Sequence, residues 1–292
     1  MKSKLKILEN AIPKLIVSPT FLIMIIFIYG FIFWNMILSL TNSKILPVYT
    51  FAGLKQYISL FGNAKWWLAM ENLFIFSSLF IGFCLLIGLL LAIFIDQKIR
   101  FEGIFRTIYL YPMALSFIAT GTVWQWMLNP GLGLENFVIQ MGFPNFTFDW
   151  IVNSEMSIYT IVIAAVWQST GFVMVMILAG LRGISSEVMN AAKLDGASMP
   201  RIYWKIIIPQ LGPVFFSSVI ILMHLAIKTF DLVLVMTKAG PGYSSIMPSL
   251  FMFDYSFARN KLAFGASSAM IMLFIIMIFI VPYLYRELRK NS

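Results

Sequence analysis

The sequence predicts an all-α membrane protein with six transmembrane helices. Three observations carry that prediction. The 292 residues are 60% hydrophobic and only 11% charged, with a mean hydropathy of +0.89, whereas soluble domains carry about 25% charge. The apolar residues fall into six continuous runs, each near the roughly 20 residues needed to cross a bilayer core. They do not alternate as barrel strands do, and in lipid that leaves helices. The basic residues, finally, segregate to alternate connections, as the positive-inside rule demands.

The expected spans lie at about 15–40, 72–95, 107–128, 156–181, 206–236 and 262–285. The first follows a basic tail, 1–14, as a signal sequence would. Its apolar core is too long and no small-x-small cleavage site follows, so it is expected to be retained. The second holds the single cysteine, Cys84, expected as a small packing or lipid-facing residue. Gly82 and Gly88 in this span, like Gly171 and Gly180 in the fourth, permit close helix packing, and Asn72 is expected in an interhelical hydrogen bond. The third should kink or break near Pro112. Between the fourth and fifth spans lies a polar, Gly- and Pro-punctuated segment, 182–205, so two helices are required there.

Lys2, Lys4, Lys6, Lys14, Lys98, Arg100, Arg106, Arg182, Lys193, Arg201, Lys205, Arg286, Arg289 and Lys290 fall on one side. Lys44, Lys55, Lys65, Lys238, Arg259 and Lys261 fall on the other. This asymmetry places both termini, the tail 286–292 and the segment 182–205 in the cytoplasm. The net charge of +9 is explained the same way and does not call for nucleic acid. The outer loops are then 129–155, which has no basic residue, and 238–261.

The segment 190-NAAKLDGASMPRIYWKIIIPQLGP-213 divides into two short helices. Asp195-Gly196 is a turn signal, and Pro200 suits a first helical turn. A helix-turn-helix exposing small and apolar residues can enter a groove on another protein; a loop packed only on its own chain is the alternative. These residues resemble the cytoplasmic signature loop of ABC-transporter permease subunits, through Ala191, Ala192, Asp195, Gly196, Ala197, Tyr203, Ile206, Pro209 and Pro213. Asn190 stands where the family has Glu. The segments 51-FAGLKQYISLF-61, 106-RTIYLYPMAL-115, 124-WQWMLNPGLGLENFVIQMGFP-144 and 230-FDLVLVMTKAGPGYSS-245 extend the similarity to carbohydrate-uptake permeases of binding-protein-dependent systems.

The resemblance implies a type I ABC importer permease-like fold in the inner membrane of a prokaryote. It also implies a coupling helix at 190–205 that docks on an ATPase. The implied partners are a second permease subunit, commonly a paralogue, two ATP-binding subunits and an extracytoplasmic solute-binding protein. ATP and Mg would sit on the ATPase subunits and no cofactor on this chain. This agrees with the absence of a Gly-x-x-x-x-Gly-Lys-Ser/Thr loop. One histidine and one cysteine cannot assemble a typical metal site.

For the solute path, His224, Lys228 and Asp231 are spaced to share one face of a continuous helix, and ionisable groups at such depth commonly face a cavity. An ion pair gluing that helix to a neighbour is the alternative. Trp167 and Gln168, inside the fourth span, offer an aromatic face and an amide to a sugar. Trp124 and Trp126, near a span end, suit interfacial anchoring. The expected function is ATP-driven import of a sugar or sugar-like solute by alternating access. Glycerol-phosphate, a polyamine or an amino acid are alternative cargoes. A membrane-embedded enzyme would need an ionisable cluster near one interface, and none stands out.

Overall fold

A computed structural model describes residues 14, 16–97 and 99–290, with backbone alone at 286–288 and 290. The expected basic tail apart from Lys14, the start of the first span at Leu15, the loop residue Lys98 and the last two residues of the tail 286–292 lie outside the described residues. Among the described residues the regular structure is helical, and the pairing of Thr41 with Phe51 is an isolated bridge. The chain forms two compact units. One contains the described residues up to Gly62 together with Met252–Ile271. The other contains Asn63–Phe251 and the chain beyond Ile271.

In the first unit, α1 (Ile16–Ser39) passes through a π turn at Ile25–Tyr29. Its apolar side chains, such as Phe21 and Phe27, are exposed, as lipid-facing residues are when no lipid is present. The helix is followed by a loop knotted by hydroxyls. Thr41 Oγ1 lies 2.7 Å from Ser43 Oγ, which donates to the Val48 carbonyl and accepts from the Val48 amide. α2 (Lys55–Phe61) follows, and Gln56 Nε2 ties it to the Thr41 carbonyl at 3.0 Å. The same loop offers the Lys44 and Ser43 carbonyls to the Leu262 and Ala263 amides.

The second unit is organised around two helices, α3 (Ala64–Asp96) and α7 (Ser157–Arg182). Asn63 caps α3 by accepting from the Lys65 amide at 2.9 Å, so the helix begins eight residues ahead of the expected 72. Between α3 and α7 lie α4 (Glu102–Ala114), α5 (Phe117–Met127) and α6 (Leu134–Gln140). Pro112 lies in the last turn of α4. The backbone then runs extended through Leu115 and Ser116, and Ser116 Oγ caps α5 by accepting from the Ala119 amide. The chain after α7 forms α8 (Ser186–Leu194), α9 (Met199–Gln210), α10 (Gly212–Ile227), α11 (Asp231–Met236), α12 (Pro248–Phe253) and α13 (Leu262–Lys290).

Among the described residues, α1, α3, α7 and Leu262–Tyr285 of α13 are each long and apolar enough to cross a membrane. α9 and α10, bent by 63° at their junction, make a fifth if counted as one span. The expected six is not reached on length and composition, because the third span is divided into 13- and 11-residue helices. The expected fifth span, 206–236, is divided as well. α10 stops at Ile227, and regular helix resumes only at Asp231. Thr229 Oγ1 folds back onto the Leu225 carbonyl, and Ser249 Oγ donates to the Thr229 carbonyl.

Close approach at glycines sets the packing. A side chain at Gly88 of α3 would press on Val173 and the Met174 backbone of α7. One at Gly171 would overlap the Tyr109 carbonyl oxygen, so α7 rests directly on the α4 backbone. Cys84 is fully buried at this seam, 3.8 Å from Thr170 Oγ1. Asn72 makes a different bond from the expected interhelical one. Its Nδ2 donates to the backbone carbonyls of Ser244 and Ile246 at 2.8 and 3.0 Å, fastening the 240–246 loop to α3.

Candidate functional site

The segment 183–198, between α7 and α9, is an elbow in which most residues are exposed. Ser185 caps α8 by accepting from the Glu187 amide at 3.2 Å. At the other end, the Gly196 amide bonds to the Lys193 carbonyl and the Ala197 amide to the Ala192 carbonyl, both at 3.0 Å. This paired closure is a Schellman motif, which needs a left-handed residue just past the helix. Gly196 supplies it at φ +78, and a side chain there would touch nothing. Gly196 is thus favoured by backbone geometry, not by crowding.

Asn190, Ala191, Asp195 and Gly196 are exposed, while Ala192 is buried. α9 carries Pro200 in its first turn and buries Ile202 and Ile207, with a π turn at Tyr203–Ile207. Leu194 is 89% exposed, and Trp204 and Val188 are exposed too. Charged Lys193, Asp195 and Arg201 stand beside these apolar residues in the chain, and exposed apolar groups among charged ones suit a partner surface.

A charged cluster at the root of the elbow is absent from the sequence reading. Arg182, the last residue of α7, lies 2.9 Å from Glu102 at the start of α4 and 3.6 Å from Asp96 at the end of α3. Arg106 also reaches Glu102, at 3.4 Å. Beside them, Gln97 Nε2 donates to Tyr203 Oη at 3.1 Å. The hydrogen bond from Arg182 holds the Glu102 carboxyl below its ordinary value. The sequence does show acidic residues, Asp96 and Glu102, bracketing an otherwise basic connection, but nothing in it indicates that Arg182, eighty residues later, meets them.

The polar residues read as a path are not one stripe. Because α10 ends at Ile227, His224 lies on α10, Lys228 on its cap and Asp231 on the first turn of α11. Among the described residues no ion pair joins Lys228 to Asp231. His224 and Lys228 are exposed and Asp231 is half-buried. Asp231 at a helix start is favourably placed in the helix field.

Trp167 is 42% exposed and meets Trp124 edge-on at 5.9 Å. It borders a cavity of about 630 Å³ whose walls include Phe83, Ile87, Tyr109, Pro112 and Val166. The lining is largely apolar. Gln168 is only 3% exposed and its Nε2 donates to the Leu115 carbonyl at 2.8 Å. It therefore satisfies a carbonyl freed by the α4–α5 break, while its Oε1 has no partner. Among the described residues no group of side chains is arranged to hold a metal ion.

Span-length apolar helices joined by an exposed elbow define a multi-pass membrane protein. The chain belongs to the family of binding-protein-dependent transport system inner membrane components, whose family model matches residues 84–290. It is a permease subunit of an ABC transporter and not itself an enzyme. A probable ABC transporter permease protein of Pyrococcus horikoshii is 38% identical over 93% of this chain and 94% of its own length. A xylose/arabinose import permease protein of Haloferax volcanii is 34% identical, covering 93% of this chain and 86% of the relative. The fold is shared with a bacterial alginate ABC transporter, solved in complex with an alginate pentasaccharide-bound periplasmic protein. The TM-score is 0.81 at 16% identity, covering 94% of this chain and 93% of that one.

Proposed function

We propose that this subunit forms half of the membrane pore of an ATP-driven importer for a sugar or sugar-like solute. The observation that carries the cargo class is the 34% identity, over nearly the whole chain, to a permease named for xylose and arabinose import. In this account α4 with α5 is the third span and α9 to α11 the fifth, giving six spans with both termini in the cytoplasm. A second permease completes the pore. An extracytoplasmic binding protein delivers the solute, and two ATPase subunits, which hold ATP and Mg, close on nucleotide.

The role of this chain is mechanical. The Schellman closure shapes the elbow, and its exposed face, with Asn190, Ala191, Asp195 and Gly196, docks on the ATPase, while buried Ala192 and half-buried Ala197 and Tyr203 support that face. Closure of the ATPase pair displaces the elbow and reorients the cavity beside Trp167. His224, Lys228 and Asp231 contribute separately to a polar route, without sharing a helix face.

The test is a thermal-shift ligand screen of the matching binding protein, followed by uptake into vesicles containing the full transporter. Stabilisation of the binding protein by a sugar or polyol, and ATP-dependent uptake of that compound, is the expected result. Selective response to glycerol-phosphate, a polyamine or an amino acid would overturn the cargo class.

A further inference from the structure

We propose that Arg182, Glu102 and Asp96, with the Gln97–Tyr203 hydrogen bond, form a linkage that makes the elbow and the start of α4 move as one body. This rests on the coupling role given to the elbow above. The chain enters the elbow at Arg182 and passes Tyr203 on the way out. Both residues are tied to the same short connection between α3 and α4. Arg182 reaches Asp96 and Glu102 at either end of that connection, and Tyr203 accepts from Gln97 within it. The turn is itself shaped for a tight entry into α4, with Phe101 held left-handed at φ +67.

The magnitudes favour a linking role over a stabilising one. Half-exposed ion pairs contribute little to the stability of a fold, and the side chains here are 42% and about 25% accessible. Geometry is what the cluster adds. One guanidinium presents a rigid fork of donors, here shared between carboxylates on two different helices. Downstream, α4 carries the Tyr109 carbonyl on which Gly171 rests, and Tyr109 and Pro112 form part of the cavity wall. Displacement of the elbow is thereby delivered to that wall through α4. Arg106 pairs with Glu102 only along its own helix and is outside the linkage.

The experiment uses the complete transporter with spin labels at two exposed positions, Glu187 on the elbow and Ile104 on α4. In the parent protein the label separation should stay constant between nucleotide-free and ATP-bound states. In Arg182→Gln it should change with nucleotide, and solute moved per ATP hydrolysed should fall about five-fold or more, the low end of typical site–site coupling. Arg182→Lys, which keeps the charge but loses the fork, should fall between. Arg106→Gln should behave as the parent.

A nucleotide-dependent separation in the parent would overturn the proposal. So would an unchanged ratio in an assembled Arg182→Gln transporter, an equal loss in Arg106→Gln, or a loss that only tracks the amount of assembled protein. The label distance needs ATP but no solute, so failure to find a transported sugar would sink the cargo assignment and leave this result readable.

Discussion

At the scale of single residues, the elbow depends most on Gly196. A β-branched residue at φ +78 is strained by roughly 1–2 kcal/mol, although nothing crowds the position. Gly196→Val should leave membrane insertion intact and weaken co-purification of the ATPase subunits. Gly196→Asn, which tolerates left-handed backbone better, should retain most of it. Asp231 has a different kind of role. As an acid in the first turn of α11 it is favoured by about 0.3–1 kcal/mol, too little for its loss to unfold the protein. Asp231→Ala should therefore reduce solute uptake while normal amounts of protein reach the membrane. Full uptake would count against any part in the polar route.

At the scale of elements, the ends of α3, α4 and α7 are joined by charge, and the joint is sensitive to pH. Glu102 is held below its ordinary range by Arg182. Its contribution is complete above the unfolded-state pKa and is lost as pH falls through the lowered folded value. The difference in melting temperature between the parent and Glu102→Gln, measured in detergent, should therefore shrink on acidification. A constant difference down to acid pH would show that Glu102 acts there by packing alone.

The elements also show what a sequence can announce. Asp195-Gly196 and Pro200 announce the elbow because their backbone preferences act locally, and Pro112 marks the division of the third span for the same reason. The end of α10 is unannounced. Residues 224–231 hold neither glycine nor proline, so no local backbone signal marks a break there. The interruption is held by Ser249 on the Thr229 carbonyl, a contact from twenty residues away. The Arg182 cluster was hidden likewise, since its members meet only after α3, α4 and α7 have packed. The type and depth of Gln168 are legible in the sequence, whereas its bond to the Leu115 carbonyl is set by packing and is not.

At the scale of the whole molecule, the described helices give four spans on length and composition, or five with the bent pair, so the proposed six-span topology turns on chain breaks as much as on apolar length. Such interruptions let a membrane helix bend or line a cavity where an unbroken rod would not. The π turn at Tyr203–Ile207 has a further consequence for this architecture. It accommodates one surplus residue in the helical winding, and each residue accounts for about 100° of rotation in a helix of 3.6 residues per turn. Because the wide turn absorbs that rotation, excising Trp204, whose side chain is 73% exposed, should close the turn into regular winding and leave Leu194 pointing much as before. The deletion should then retain ATPase subunits on co-purification to the same extent as Trp204→Ala, and a loss confined to the deletion would show that the wide turn itself aims the elbow. At this point in the chain the winding holds one residue in reserve.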